Sequence, residues 1–219
     1  MRKTYKRSWV LTAPLIAFSL ASSTANTGYI NPLTEESVRD AYFFGSRTDS
    51  SKVMEFLARY TLRPEPRYDG RPGVGEIEFQ TPYEQVVLRS FEHRTTGYSA
   101  QQAQTDYAAQ PQLIVRAFLF PGSATSGTTN LYSDSQGRIR DRRENFWREF
   151  KLHVTQEVQI QPDSVQAEPV YSPRGKGLQG AILRVQFDAA RFAPRKTRIE
   201  IATPDGQPVV AEFPLNELR

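Results

Sequence analysis

Apolar residues near the start of the chain recur at the three- and four-residue spacing of an α-helix. Two such stripes occur, and they comprise Val38, Ala41 and Tyr42, then Val53, Phe56, Leu57 and Tyr60. Thr34 precedes the first stripe and Thr48 or Asp49 the second, and these residue types favour helix N-caps. The pattern therefore predicts two short helices, which need a surface to pack on because short helices are unstable alone.

A stretch rich in proline and glycine, LRPEPRYDGRPGVG at 62–75, follows these helices. Neither a helix nor a central strand can continue through residues of this kind at this spacing. We therefore expect a short helical segment at 26–63, a linker at 64–75 and a β-rich domain at 76–219.

Beyond the linker the hydrophobic pattern changes to the alternation, or the short apolar run, of β-strands. The segments that predict strands are 76–79, 84–91, 113–120, 150–160, 181–187, 197–201 and 209–213. The last two are joined by a Pro/Asp-Gly turn and predict a hairpin. Residues 99–110 predict a small helix, and 121–137 form a polar loop of unusual length.

The clearest alternation is at 150–160. It places one set of side chains on a buried face, namely Phe150, Leu152, Val154, Val158 and Ile160. About seven or eight strands separated by turn signals favour an α+β fold that is mainly an antiparallel β-sandwich, with two short N-terminal helices. The likeness to immunoglobulin or fibronectin domains is one of pattern only, and it predicts no function.

The first 25 residues have the order of a secretory signal peptide. Basic residues come first, an apolar run over 9–21 follows, and small residues ending at Ala25 form a cleavage signal. The run is shorter than the roughly 20 residues that span a bilayer and it contains Pro14, so we expect cleavage and no stable membrane span afterwards. The sequence thus predicts an exported protein, periplasmic or extracellular, of bacterial type.

Export changes the charge balance of the chain. The full sequence has 28 basic and 24 acidic residues, and the four basic residues of the leader account for the excess, which leaves 24 of each. A chain without net charge has no overall field that attracts phosphate, so no nucleic-acid partner is expected. Cysteine is absent, which excludes a catalytic thiol, a lipid-bearing cysteine and zinc held by thiolates.

One stretch, GRIRDRRENFWREF at 137–150, interleaves arginines with aromatic residues. Candidate contacts for an anion or a partner protein are Arg138, Arg140, Arg142, Arg143 and Trp147. The alternative, which we favour, is a short helix with Asp141 and Glu144 in a capping box, whose aromatic side chains close the end of the sandwich. The nearby acids offset half of the positive charge, which weakens the binding interpretation.

Motifs that carry chemistry are scarce. His93 and His153 are far apart in sequence and lack metal-ligand spacing, so neither a metal nor a cofactor is expected. In the segment TPYEQVVLRS, Tyr83 and Arg89 are candidate ligand contacts on an exposed sheet face. The interpretation that we favour is structural, with Tyr83 an aromatic residue at a strand edge and Val86 and Leu88 in the core.

These observations predict a non-catalytic interaction or structural protein of the cell envelope or extracellular space, with a protein or envelope glycan as partner. The alternative is a small secreted hydrolase that uses two carboxylates on a glycan or peptide, because such a pair can lie anywhere in a sequence.

Overall fold

The computed structural model describes residues 28–65, 70–108, 111–122, 131–133, 139–141, 145–173 and 178–219, with the backbone alone at 108, 131–133 and 139–141. The expected signal peptide at 1–25 lies outside these residues. The described chain is an α+β protein with a five-stranded antiparallel sheet, a four-stranded antiparallel sheet, a small two-stranded ribbon and four α-helices.

The strands run throughout the chain beyond residue 60. They are β1 (Thr61–Leu62), β2 (Gly73–Gln80), β3 (Gln112–Phe120), β4 (Leu131–Ser133), β5 (Ile139–Asp141), β6 (Lys151–Thr155), β7 (Gln159–Ile160), β8 (Ser164–Tyr171), β9 (Leu178–Asp188), β10 (Lys196–Ala202) and β11 (Pro208–Pro214). The five-stranded sheet has the order β1-β2-β3-β9-β8, the four-stranded sheet has the order β11-β10-β6-β7, and β4 pairs with β5. Strands predicted at 76–79, 113–120, 181–187 and in the C-terminal hairpin are confirmed.

The two larger sheets share one hydrophobic core. Phe79 of β2 stacks on Phe213 of β11, with ring centroids 5.2 Å apart, so the core joins one sheet to the other. Alternate residues of the central strands point into it, including Val115, Ala117 and Leu119 of β3. The opposite face of β3 carries Arg116 and Phe118, which are half-buried.

The helices form a second core beside the sheets. They are α1 (Glu35–Gly45), α2 (Ser50–Ala58), α3 (Pro82–Glu92) and α4 (Ala100–Ala108). The predicted caps are confirmed, because Thr34 accepts a hydrogen bond from the Ser37 amide and Asp49 accepts one from the Ser51 amide. Phe56 of α2 packs against both cores and so connects the helices to the sheets.

The strand predicted at 84–91 is wrong, because this segment is the helix α3. Thr81 caps its first turn by accepting a hydrogen bond from the Glu84 amide, and Pro82 occupies the first helical position, where proline is favourable. The Val and Leu content of this segment suggested a strand, but the capping residues and the packing of α1 on this helix determine its structure. Tyr83, expected at a strand edge, is therefore a buried helical residue.

The single strand predicted at 150–160 is also wrong, because the chain turns between β6 and β7. The Gln156 amide donates to the Val158 carbonyl, and the side chain of Gln156 bonds to Ala193 and Thr197 on the neighbouring segment. Val158, expected in the core, is 73% exposed at this turn. The edge strand β8, which carries Pro169, was not predicted.

The capping box predicted for Asp141 and Glu144 lies outside what the structure describes, since Glu144 is not among the described residues and only the backbone of Asp141, the last residue of β5, is. A 3-10 helix, Phe146–Glu149, begins after Asn145 without a side-chain cap. Two of the aromatic residues of this stretch, Phe146 and Phe150, are buried in the core that the two sheets share. In the part of the chain that the structure describes, no helix is both long and apolar enough to cross a bilayer.

Candidate ligand-binding face

The arginine-rich stretch singled out in the sequence is described only in part. Arg138, Arg142 and Arg143 lie outside the described residues, and for Arg140 in β5 only the backbone is described. Trp147 is half-buried against the core that the two sheets share, with the Arg148 guanidinium 5.3 Å from its ring centroid. Whether these arginines bind an anion or a partner stays a prediction.

The other candidates from the sequence form contacts within the chain. The Tyr83 hydroxyl donates to Asp40 at 2.7 Å, and the Arg89 guanidinium lies 3.5 Å from the Asp106 carboxylate. His93 and His153 are exposed on separate elements. Among the described residues, no group of three or more histidines, cysteines and acids is placed to hold a metal ion.

A different site lies on the outer face of the five-stranded sheet. Strand register places Glu76 of β2, Phe118 of β3, Ile182 of β9 and Glu168 of β8 in one row across four strands. An apolar strip formed by Phe118 and Ile182 is thus bounded by a carboxylate on each side. Phe120 lies two residues along β3 on the same face. We call Phe118, Phe120 and Ile182, together with Glu76 and Arg116 beside them, the aromatic face.

Both phenylalanine rings occupy space that glycines leave open. A Cβ atom at Gly180 would lie 2.5 Å from the main-chain oxygen of Leu119 and 2.7 Å from Cζ of Phe118, and one at Gly75 would lie 3.0 Å from Cδ1 of the same ring. A Cβ atom at Gly73 would lie 2.4 Å from Cζ of Phe120. Side chains normally stand away from a sheet, but here the Phe118 ring reaches towards glycines on both neighbouring strands. The ring therefore lies between β2 and β9, over the space that Gly75 and Gly180 leave open.

Irregular strand pairing accompanies this arrangement. A register shift between Val74 and Glu76 leaves Gly75 as an extra residue in β2, and a second shift occurs between Val170 and Tyr171 in β8. Bulges redirect nearby side chains and are frequent beside functional sites. Here they occur on both sides of the aromatic face, at the same end of the sheet.

An open depression of about 370 Å³ lies on this face. Its lining residues are Gly75, Glu76, Arg116, Phe118 and Ile182. The volume is within the range of roughly 300–1,000 Å³ that is usual for small-molecule pockets. Its floor is apolar, and its side walls carry one carboxylate and one guanidinium.

The charged groups at this face are fixed by ion pairs. Nε of Arg63 lies 2.9 Å from Oε2 of Glu76, and a guanidinium nitrogen of Arg116 lies 3.1 Å from Oε2 of Glu78. Both pairs are partly exposed, so they add little to stability. They place polar groups beside the Phe118 ring, where these groups can exchange hydrogen bonds with a ligand.

A second unusual group is the buried carboxyl of Glu84 on helix α3. Glu84 in the first turn of α3 is 0% exposed, and among the described residues neither of its carboxylate oxygens has a hydrogen-bond partner. Burial raises the pKa of Glu84 well above its usual range, and the negative charges of Glu78 and Glu92 raise it further, whereas Arg116 acts in the opposite direction. Its surroundings therefore favour the protonated form of this carboxyl, which is closed off from solvent.

The residues of the aromatic face were missed in the sequence because the GVG segment at 73–75 was assigned to a linker. The available signal was glycine at the start of a strand pattern, which often marks a bulge or a close approach of another group. The pairing of these glycines with Phe118 and Phe120 depends on strand register, which the sequence alone does not give.

Comparison with known protein families, with curated proteins and with solved structures gives no match for this chain. Its function must therefore be inferred from the geometry of the described residues.

Proposed function

We propose that this chain is an exported, non-catalytic interaction protein that binds its partner through the aromatic face. The leader-like first 25 residues support export to the periplasm or the extracellular space of a bacterium. In this proposal the two sheets form the β-sandwich that the strand pattern predicts, and the sandwich acts as a rigid support for the binding residues.

The observation that carries the proposal is the position of Phe118 across Gly75 and Gly180. Glycine within a strand weakens it, because the residue loses backbone entropy and offers no side chain for packing. Two glycines from different strands beside one half-buried ring cost stability without filling the core. A binding surface that needs a flat aromatic ring explains this cost.

The alternative of a carboxylate-dependent hydrolase receives less support from the described residues. Such an enzyme needs two acids that face one cavity, with one of them able to donate a proton. Glu84 has the raised pKa of a proton donor, but it is closed off from solvent, so a substrate cannot reach it. Glu76, the acid that lines the depression, is paired with Arg63.

The test compares the wild-type protein with Phe118→Leu in the native host, after separation of cytosol, soluble periplasm or medium, and envelope. We expect the wild type to have lost its leader, with mass spectrometry giving Asn26 as the first residue, and to be retained with its envelope partner. Phe118→Leu should be exported equally well but retained several-fold less.

Two controls accompany this comparison. Phe43→Ala removes an aromatic side chain that is 55% exposed on α1, away from the aromatic face, and should leave retention unchanged. Charge reversal of Arg138, Arg140, Arg142 and Arg143 tests the arginine-rich stretch as a separate contact. Equal retention of Phe118→Leu and wild type, or an intact leader in the cytosol, would refute the proposal.

A further inference from the structure

We infer that the ligand of the aromatic face is a neutral glycan, one of whose sugar rings stacks on Phe118. This inference rests on the proposed function, because it names the chemical class of partner for the same face. Three properties of the face lead to it, namely its flatness, the placement of its polar groups and its charge balance.

In this inference the flat side of the Phe118 ring faces the ligand, which favours a ring-shaped molecule. The Phe118 ring lies across the strands between Gly75 and Gly180, and the side chain of Ile182 is its cross-strand neighbour. An aromatic ring has a negative face, and the C–H groups on one side of a pyranose carry a partial positive charge. A sugar ring placed parallel to Phe118 therefore gains both contact area and electrostatic attraction.

The polar groups lie where the hydroxyl groups of such a sugar would be. Glu76 and Glu168 flank the apolar strip in the same row, and three strand spacings separate their Cα atoms by about 14 Å. Arg116 lies one row further along β3, with its guanidinium held by Glu78. Equatorial hydroxyl groups project from the rim of a stacked sugar, so carboxylates can accept from them on both sides while a guanidinium donates.

The charge balance favours a neutral ligand. Among the described residues, the acidic residues around the aromatic face are Glu76, Glu78 and Glu168, and the basic residues are Arg63, Arg116 and Arg184. Within this part of the chain the two numbers are equal, so these residues supply no excess of the cations that phosphate and sulfate binding requires. A single-stranded nucleic acid also stacks on aromatic rings, but it needs a positively charged groove for its backbone.

The experiment is a titration of the purified exported protein with β-1,4-linked tetramers of glucose and of N-acetylglucosamine, followed by calorimetry and by amide NMR. Dextran sulfate and single-stranded DNA serve as anionic probes. We expect a neutral tetramer to shift the amide resonances of Gly75, Glu76, Arg116 and Ile182, with little response to the anionic probes.

Four variants separate stacking from folding. Phe118→Leu keeps an apolar side chain but removes the ring and should weaken binding about two- to tenfold, because a lost aromatic contact is worth roughly 0.5–1.5 kcal/mol. Phe118→Tyr keeps the ring and should bind within about twofold of wild type. Glu76→Gln should weaken binding several-fold without affecting the fold, and Phe43→Ala should change nothing.

Two results overturn the inference. One is the absence of binding by either neutral tetramer, and the other is preferential binding of dextran sulfate or DNA. If Phe118→Leu loses envelope retention while the neutral tetramers do not bind, the inference that the ligand is a neutral glycan is wrong and the proposed function stands. If the tetramers bind through Phe118 but envelope retention is unchanged in Phe118→Leu, the glycan chemistry stands and the proposed cellular function fails.

Discussion

Tyr60 and Arg219 are joined by two hydrogen bonds, one in each direction. The Tyr60 hydroxyl donates to the main-chain oxygen of Arg219 at 2.9 Å, and the Arg219 amide donates to the Tyr60 hydroxyl at 3.0 Å. Thr81, the cap of α3, donates to the same oxygen of Arg219. Three segments distant in sequence therefore meet at this position, and the contact connects the helices with the residues after β11.

Replacing Tyr60 by Phe should destabilise the protein by about 1–3 kcal/mol, because the hydroxyl of this fully buried side chain donates one hydrogen bond to Arg219 and accepts another from it. Urea unfolding measures the difference. Tyr42→Phe is the matched control, since its hydroxyl makes one bond, to the Tyr98 carbonyl, at a part-buried site. A Tyr60→Phe variant no less stable than the control would contradict this prediction.

Stability should fall as the pH rises because of Glu84. Its pKa in the folded protein is raised. Below its pKa in the unfolded chain, about 4.3, the Glu84 carboxyl is therefore neutral in both the folded and the unfolded state. Above that value the unfolded state ionises while the folded state keeps its proton, and the free energy of unfolding falls with a limiting slope of about 1.4 kcal/mol per pH unit. This loss continues until the pH passes the folded pKa.

The variant Glu84→Gln cannot ionise and should be free of this loss. Thermal unfolding is measured at intervals from pH 4 to pH 8. The Tm of the variant should rise relative to that of the wild type as the pH increases. Glu55→Gln, at an exposed position of α2, is the control and should follow the wild type. A constant difference between Glu84→Gln and wild type at all pH values would show that Glu84 does not titrate as inferred.

The contact between Gly73 and Phe120 can be measured by a double-mutant cycle. All three nearest atoms that a Cβ at Gly73 would meet belong to the Phe120 ring. Gly73→Ala should therefore destabilise the protein by about 1–3 kcal/mol, as overpacking usually does. In a Phe120→Ala background the same change should cost little, which gives a coupling of about 0.5–3 kcal/mol. Additive effects would mean that the ring does not occupy this space.

Val158 and Val154 provide a test of the turn between β6 and β7. The alternation at 150–160 predicts that both are core residues, but Val158 is 73% exposed and Val154 is 1% exposed. Val158→Asp should change stability by less than about 0.5 kcal/mol, whereas Val154→Asp should cost more than about 4 kcal/mol or prevent folding. Comparable losses in the two variants would indicate a continuous strand.

The sequence was informative wherever local chemistry decides the structure. The caps at Thr34 and Asp49 and the alternation of β9, β10 and β11 were correctly interpreted, since each depends on residues a few positions apart. The segment at 84–91 contained a similar local signal in Thr81 and Glu84, whose spacing is that of a capping box. Its Val and Leu content was given more weight than this signal, and the helix was missed.

The candidate site was harder to predict from the sequence because it depends on pairing between distant strands. The contacts of Phe118 with Gly75 and Gly180 join residues more than 40 positions apart, and the bulge at Gly75 sets which side chains meet. The burial of Glu84 similarly depends on how α3 lies against β2, which no local pattern indicates. Register and layer packing are tertiary properties, so composition and periodicity could not predict them.

Strand β8, at one edge of the five-stranded sheet, carries Pro169 in its second half. Proline has no amide hydrogen, so a second molecule that tried to add its own strand there would meet an interrupted row of donors. If many copies of the protein bind side by side along a glycan chain, Pro169 would hinder strand pairing between neighbouring copies. Binding at high density would then not lead to fibrous aggregation through this edge.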